Sequence, residues 1–298
     1  MAAISRDVAL RAGALSVGLV PGLGGSVSHF RFAGIDLMRP LSDADRLAGN
    51  VLGVAMFPMT PYANRIAGNA FAFGGRTWRF APNNTAEKYN VHGTGWHRPW
   101  TLKLANAAEA VLTLAIKASR EAYSYRATQR FLLTEGGLTV AMSLTNAGPV
   151  AMPFGFGLHP WFERDNDVTL QFSAKRYYLE EPDGVSGDPV TLPPELDFAE
   201  ARPLPGGWRN NNYGGWEGVA PLRYPSRGAG LTIRADAMFG HLMLYADPTK
   251  PYFCVEQQSN ASGAFNRAGG FADPDEGVIV LAPGETAEGS VRFEPFRL

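Results

Sequence analysis

Two of the five histidines in the sequence have neighbours that suit chemistry. His92 is followed at once by Gly93, and a glycine lets a ligand or another stretch of backbone approach closely. His159 lies within residues 155–162, GFGLHPWF, where an imidazole that titrates near neutrality is flanked by a rigid proline and by aromatic rings. Such rings stack on sugars or bases. Because a lone histidine is more often a hydrogen-bonded structural residue, both positions are candidates only.

A carboxylate and a guanidinium in the sequence each follow a run of apolar residues. Glu256 comes after the strand-like run Tyr252–Val255 and before three polar residues. Burying a lone carboxylate is costly, so such a residue either faces solvent or is held for a purpose. Arg65 follows the apolar run 51–57, and its planar fork could bind ligand hydroxyls or a carboxylate, or form a structural salt bridge.

The segments that must position these residues have the pattern of β-strands. Apolar and polar residues alternate from Leu138 to Thr145, which is typical of a strand with one buried face. Residues 125–133 are rich in β-formers and precede Glu135-Gly136-Gly137, which suits a tight hairpin. Similar patterns are found at residues 70–80, 112–116, 168–172 and 231–233.

The rest of the pattern favours an all-β fold. No stretch of twelve or more residues combines helical apolar spacing with freedom from Gly and Pro, and 34 Gly and 22 Pro supply turns throughout. We expect an antiparallel β-sandwich or barrel with few short helices, in one domain over residues 1–298. The proline-rich segment 180–208 is interpreted as a surface excursion within that domain.

Composition excludes several classes of protein. With 27 Lys and Arg against 28 Asp and Glu, and no basic run, the chain lacks the charge that nucleic acids or anionic membranes attract. The long uncharged stretch 12–30 is broken by five glycines and Pro21, so it is no membrane span. Cys254 is the only cysteine and cannot form an intramolecular disulfide. We expect a soluble, cytoplasmic protein.

Five ordered motifs resemble those of the aldose 1-epimerases, or galactose mutarotases. They are Asn64-Arg65-Ile66-Ala67-Gly68 with Phe71, Phe73 and Gly74; His92-Gly93; His159-Pro160-Trp161-Phe162; Val255-Glu256; and Ala282-Pro283-Gly284-Glu285. Residues 21–39 also resemble that family's first hairpin. Each motif alone is weak, but their order and spacing over nearly the whole chain are specific.

The resemblance implies a large antiparallel β-sandwich of the galactose mutarotase-like supersandwich type, with a sugar cleft on one sheet. It implies interconversion of the α and β anomers of a free aldose such as galactose or glucose. The C1 hydroxyl loses a proton and the ring oxygen gains one; the ring opens, the aldehyde turns about C1–C2, and the ring closes on its other face. Glu256 matches the family's general base and His159 its general acid.

The remaining site residues also follow from the resemblance. The residues that match sugar-binding positions are His92, Arg65, Asn64, Asn210, Trp161 and Gln258. No metal and no redox cofactor is implied, and the expected partner is a small monosaccharide, bound by a monomer or homodimer.

One departure from the family concerns the segment Asn210-Asn211-Asn212. Many members carry an aspartate there, and Asn210 stands at its position unless Asn211 or Asn212 does. An amide still hydrogen-bonds hydroxyls but brings no negative charge. Candidates for stacking on the apolar face of the sugar, or alternatively for the core, are Trp161, Tyr213 and Trp216.

Three other interpretations remain. His92, His159 and Glu256 could form a metal-binding facial triad, although no closely spaced histidine pair supports it. The protein could bind sugars without catalysis. It could also act on a hexose 6-phosphate, whose phosphate would need cations; Arg65, Arg98 and Arg267 are the candidates.

Overall fold

The computed structural model describes residues 7–118 and 122–298. Its first thirteen strands are β1 (Val8–Ala12), β2 (Leu15–Val20), β3 (Ser26–Phe32), β4 (Ile35–Asp36), β5 (Met56–Met59), β6 (Arg65–Ile66), β7 (Ala70–Phe73), β8 (Arg76–Arg79), β9 (Asn90–Val91), β10 (Thr101–Ala105), β11 (Glu109–Ile116), β12 (Tyr125–Thr134) and β13 (Gly137–Asn146). The remaining strands are β14 (Met152–Phe154), β15 (Gly157–Glu163), β16 (Thr169–Leu170), β17 (Arg176–Glu180), β18 (Ser186–Val190), β19 (Arg202–Pro203), β20 (Arg209–Gly214), β21 (Val219–Tyr224), β22 (Ala229–Ala235), β23 (His241–Ala246), β24 (Tyr252–Gln258), β25 (Ile279–Leu281) and β26 (Thr286–Arg297).

Two large antiparallel sheets contain most of these strands. The eleven-stranded sheet has the order β1-β2-β3-β5-β15-β24-β23-β20-β17-β18, with β4 paired to β3. The nine-stranded sheet has the order β10-β11-β12-β13-β26-β22-β21-β16-β19. One hydrophobic cluster contains buried residues of both sheets, for example Val17 and Phe30 of the first and Phe131 and Val140 of the second. The predicted antiparallel β-sandwich is therefore confirmed.

The alternation in the sequence corresponds to single buried faces. Along β13, buried residues from Leu138 to Leu144 alternate with half-buried ones, and β12 alternates in the same way. The two strands pair from Tyr125–Asn146 to Thr134–Gly137, as the predicted hairpin requires. At 168–172 the strand is shorter than the pattern suggested, because only Thr169–Leu170 is paired.

Helices contribute little. Residues 7–118 and 122–298 contain one α-helix, α1 (Asp43–Ala48), which begins at the N-cap Ser42 and ends at Gly49 in the left-handed conformation. The other helices in these ranges are three-residue 3-10 turns. No helix in the described part of the chain is long and apolar enough to cross a membrane.

The proline-rich segment 180–208 contributes to both sheets. Its strands β18 and β19 lie at the last positions of the eleven-stranded and nine-stranded sheets. Proline cannot donate a ladder hydrogen bond and is tolerated on edge strands, which accounts for this placement.

Strand β24 lies in the interior of the eleven-stranded sheet, between β15 and β23. Every residue from Phe253 to Gln258 is buried, since both faces of this strand are covered. Val255 belongs to the core between the sheets, whereas Glu256, on the other face, lines a cleft.

Candidate functional site

His159 and Glu256 meet on neighbouring strands. Leu158 of β15 pairs with Gln257 of β24, and this antiparallel register places His159 opposite Glu256. Directly opposed residues project from the same face of a sheet. The Nε2 atom of His159 consequently lies 3.3 Å from Oε1 of Glu256, and both side chains are more than nine-tenths buried.

The other oxygen of Glu256 is also engaged. Gln258, two residues along the strand and on the same face, donates a hydrogen bond from Nε2 to Oε2 of Glu256 at 3.0 Å. This bond fixes the carboxyl group in plane while Oε1 faces His159.

Burial decides the protonation of this pair. It raises the pKa of the Glu256 carboxyl to about 8 and lowers the pKa of the His159 imidazole to about 3, because the charged form of each group loses its hydration. Near pH 7 the pair therefore holds one proton. This proton favours the carboxyl group, and it moves to the imidazole only when another group stabilises the charged carboxylate.

Aromatic rings hold the His159 imidazole in place. Phe57 of β5 stacks on one side with ring centroids 4.4 Å apart, and Trp161 stacks at 4.8 Å with an interplanar angle of 26°. The guanidinium of Arg39 lies 4.4 Å from the centre of the Trp161 ring. The stack leaves the ring little freedom to rotate.

His92 approaches the pair from a separate two-strand ladder. Its backbone N–H donates to the carbonyl oxygen of Asn64, and the N–H of Asn64 donates to Nδ1 of His92 at 3.1 Å. Nδ1 is thus an acceptor, so the neutral ring carries its proton on Nε2. Burial lowers the pKa of His92 well below its usual value, which keeps the ring neutral.

Both residues of this contact have left-handed backbone conformations. The φ angles are +64° at Asn64 and +57° at His92, values that side-chain-bearing residues rarely adopt. Such strain persists only where neighbours enforce it. At His92 the amide of Asn83 does so: it donates to the carbonyl oxygens of Val91 and Gly93 and accepts from the N–H of Val91.

Arg65 forms one wall of the cleft. Its Nε and Nη2 atoms donate to the two carboxylate oxygens of Glu87 at 2.8 and 2.7 Å. The guanidinium is therefore oriented by a fork-to-fork ion pair, and its charge is balanced within the wall.

A second polar group closes the far end of the cleft, away from His159 and Glu256. Asn210 donates from Nδ2 to Oε1 of Glu180 at 2.5 Å, and the indole N–H of Trp208 donates to Oε2 of Glu180 at 2.9 Å. Trp208 packs edge-on against Tyr245, which in turn packs edge-on against Trp161. An aromatic wall thus connects the His159 stack to the far end.

Together these groups enclose a cleft of about 300 Å³. Its lining residues are Leu52, Phe57, Asn64, Arg65, Asn84, Ala86, Glu87, Val91, His92, Trp96, His159, Trp161, Glu180, Trp208, Asn210, Tyr245 and Glu256. The mixture of aromatic faces and hydrogen-bonding groups suits a polyhydroxylated small molecule.

Three of these residues could also hold a metal ion. His92, His159 and Glu256 each offer one ligand atom, and these atoms lie within 4.8 Å of one another. Two histidines and a carboxylate are a known donor set for divalent transition metals.

Comparison with known proteins decides the family. A sequence profile of the aldose 1-epimerases matches residues 6–294, nearly the whole chain. The chain belongs to the aldose 1-epimerase family. Its similarity to the uncharacterized protein YphB of Escherichia coli K12 is 34% identity, over 91% of this chain and 93% of that protein.

Solved structures of the aldose 1-epimerase family share the fold. An Escherichia coli K12 protein, assigned without confirmation as an aldose 1-epimerase, superposes with a TM-score of 0.90 at 30% identity, covering 98% of this chain and 99% of the other. The aldose epimerase homologue of C. elegans superposes with a TM-score of 0.83 at 15% identity, covering 99% of each chain. The latter similarity concerns the fold alone.

The structure gathers most of the predicted site residues of this aldose 1-epimerase family member. The cleft is lined by Glu256, His159, His92, Arg65, Asn64, Asn210 and Trp161. Gln258 does not line it; its amide instead reaches Glu256 from the side.

The three consecutive asparagines, 210–212, have different roles in the structure. Asn210 lines the cleft, whereas Asn211 donates to the carbonyl oxygen of Tyr178. Asn212 accepts from the N–H of Ser262 and is buried. Of the three registers left open by the sequence, the structure places the first at the cleft.

Two stacking candidates lie elsewhere. Tyr213 is fully buried in the core, with its hydroxyl bonded to the carbonyl oxygen of Leu196, and Trp216 is buried with its indole N–H bonded to Val219. Both side chains belong to the cluster between the sheets. Trp161 alone of the three faces the cleft.

Sequence reasoning missed several residues of the site. Glu180 and Trp208 border the segment interpreted as a surface excursion, and Glu87 lies in a polar stretch without a motif. The amide of Asn83 hydrogen-bonds to backbone groups, and a lone Asn has no signature in a single sequence. Trp208, which precedes the polar run Asn210-Asn211-Asn212, was the one sequence signal that pointed to this part of the site.

Proposed function

We propose that this protein is a mutarotase that interconverts the anomers of a free, uncharged aldose by acid–base catalysis. The observation that carries the proposal is the contact between His159 and Glu256 at 3.3 Å in a cleft of sugar size. A binding protein needs hydrogen-bonding groups and stacking faces but no buried pair that shares a proton.

In the proposed reaction Glu256 accepts the proton of the C1 hydroxyl and His159 donates one to the ring oxygen. This requires the shared proton to lie on the imidazole. Sugar hydroxyls that donate to the carboxylate favour its charged form and so move the proton to His159. Once the ring has opened and the aldehyde has turned, the same two transfers run in reverse and restore the pair.

His92 and Arg65 are proposed to bind the sugar. The His92 ring lies edge-on to the His159 ring with centroids 5.2 Å apart, and its Nε2–H can donate to an oxygen near C1, where charge develops. Arg65, held by Glu87, can position a neighbouring hydroxyl.

The charge of the cleft favours a neutral sugar over a hexose 6-phosphate. Arg65 is the one Lys or Arg among the described lining residues, and Glu87 already balances it. Arg267, another candidate for a phosphate, lies outside the cleft, paired with Glu276. A phosphate would meet Glu180 and Glu87, and the described lining residues offer no Lys or Arg without a carboxylate partner.

The test follows the optical rotation of freshly dissolved α-D-glucose and α-D-galactose. We expect the wild-type protein to accelerate mutarotation, and Glu256→Gln and His159→Asn each to reduce kcat about 10²- to 10⁴-fold, because each removes one proton transfer. Glu181→Gln and His29→Asn, outside the lining residues, serve as matched controls.

Two results would contradict the proposal. One is no acceleration for any aldose. The other is stoichiometric bound metal whose removal abolishes activity, which would favour the His92, His159 and Glu256 triad as a metal centre.

A further inference from the structure

The far end of the cleft contains a carboxylate that the family resemblance does not predict. Strand β17 pairs with β20 up to Tyr178–Asn212, and two residues further along each strand lie Glu180 and Asn210. Both residues line the cleft. The negative charge that is absent at position 210 is therefore present on the adjacent strand.

The hydrogen bonds fix the orientation of the Asn210 amide. A carboxylate that accepts two hydrogen bonds, here from Asn210 and from the indole of Trp208, offers no proton in return. The Asn210 amide must therefore direct its NH2 group to Glu180. Its carbonyl oxygen receives no hydrogen bond from any described residue, and Asn210 borders the cavity.

We infer that Glu180 sets the specificity of the cleft by holding Asn210 with its carbonyl oxygen toward the substrate. The inference rests on the proposed function and names the group recognised there. This end of the cleft accepts a hydrogen bond from a sugar hydroxyl and selects against substituents that can only accept, such as fluorine, an ether or an anionic group. Glu180 acts through Asn210 as a positioning residue.

Each single substitution disrupts the contact between Glu180 and Asn210 in a defined way. In Glu180→Gln the new amide must still accept from Trp208, so it presents NH2 to Asn210; the Asn210 amide then turns over and directs its own NH2 into the cleft. In Asn210→Asp two carboxylates stand at the former hydrogen-bond distance and repel.

The double substitution Glu180→Gln with Asn210→Asp restores every hydrogen bond. Trp208 then donates to the new amide oxygen, the new amide donates to the new carboxylate, and an acceptor again faces the sugar. Only the position of the charge has changed.

The experiment measures kcat, KM and, by calorimetry, sugar dissociation constants for the wild type and the three variants. We expect each single variant to raise KM and the dissociation constant about tenfold, the factor that one hydrogen bond contributes, with little change in kcat. The double variant should return to within about threefold of wild type. Glu181→Gln, beside Glu180 but outside the cleft lining, is the matched control.

A second readout uses glucose with fluorine in place of one hydroxyl at C2, C3, C4 or C6. At one of these positions the wild type should discriminate against fluorine, and Glu180→Gln should lose that discrimination. A merely structural role of Glu180 would weaken binding of all these sugars equally.

Wild-type affinities in both single variants, or additive losses in the double variant, would overturn the inference. Sugar binding by the wild type without acceleration of mutarotation would refute the proposed function alone, because the dissociation constants still test the roles of Glu180 and Asn210. No binding of any sugar would overturn both.

Discussion

Glu256 and His159 are two titratable groups whose pKa values burial has shifted in opposite directions. A solvated glutamate is ionised and a solvated histidine is partly protonated near pH 7, but here burial favours the neutral form of each. The two neutral forms and the ion pair differ only in the position of one proton. The sequence predicted Glu256 as the base and His159 as the acid, which requires an ionised carboxylate and a protonated imidazole. The sugar-free cleft favours the two neutral forms instead.

The pH dependence of activity follows from this shared proton. Above about pH 8 Glu256 loses it and no acid remains; below about pH 3 His159 gains a second proton and no base remains. We expect kcat/KM to be level between these values and to fall about tenfold per pH unit on the alkaline side.

Polarimetry at each pH, with the spontaneous rate subtracted, measures this profile. An activity that rises between pH 4 and 5, as an ordinary glutamate ionises, would contradict it.

The sequence could predict Glu256 and His159 because each stands beside a recognisable motif. It could not predict Glu180, which lies thirty residues from Asn210 and meets it only through the pairing of β17 with β20. Register between strands distant in sequence depends on packing across the whole sheet.

The short ladder of β6 and β9 carries Asn64, Arg65 and His92 to the cleft. Its two paired positions are supplemented by side-chain amides, since so short a ladder has little stability of its own. Asn83 holds the β9 side on both flanks of His92, and Asn260 forms paired hydrogen bonds with the backbone of Ala63.

Loss of the Asn83 amide should disturb His92 without removing any group that touches the sugar. Asn83→Ala leaves buried backbone groups unsatisfied, and we expect about 1–3 kcal/mol lower stability and at least about tenfold lower kcat/KM. The 15N chemical shift of His92 Nδ1 should also change as its bond from Asn64 weakens.

Asn106→Ala is the matched control, because Asn106 accepts similar backbone hydrogen bonds in the β10–β11 turn, in the other sheet. Equal losses of activity in both variants would contradict a positioning role for Asn83.

At the level of the whole molecule, the two large sheets share one hydrophobic cluster. Residues from β1 to β26 contribute to it, including Leu196 and Phe198 of the proline-rich segment. The alternating strands and their hairpins were predictable because period two and Gly-rich turns are local signals. The order of strands in each sheet was not, because it is determined by contacts between residues far apart in sequence.

A shared core predicts cooperative unfolding, as expected of one domain over residues 1–298. Tryptophan fluorescence and far-UV circular dichroism should give one coincident transition in urea. Two separated transitions would show that the sheets fold as independent units.

The aromatic stack around His159 has a consequence for which partner moves during the proposed reaction. Phe57 and Trp161 keep the imidazole plane fixed, and β24 and Gln258 keep the carboxyl group fixed. In the proposed reaction Glu256 and His159 therefore keep their positions while the C1–C2 bond of the sugar turns. The protein is the stationary partner, and the cleft must leave the opened aldehyde room to turn.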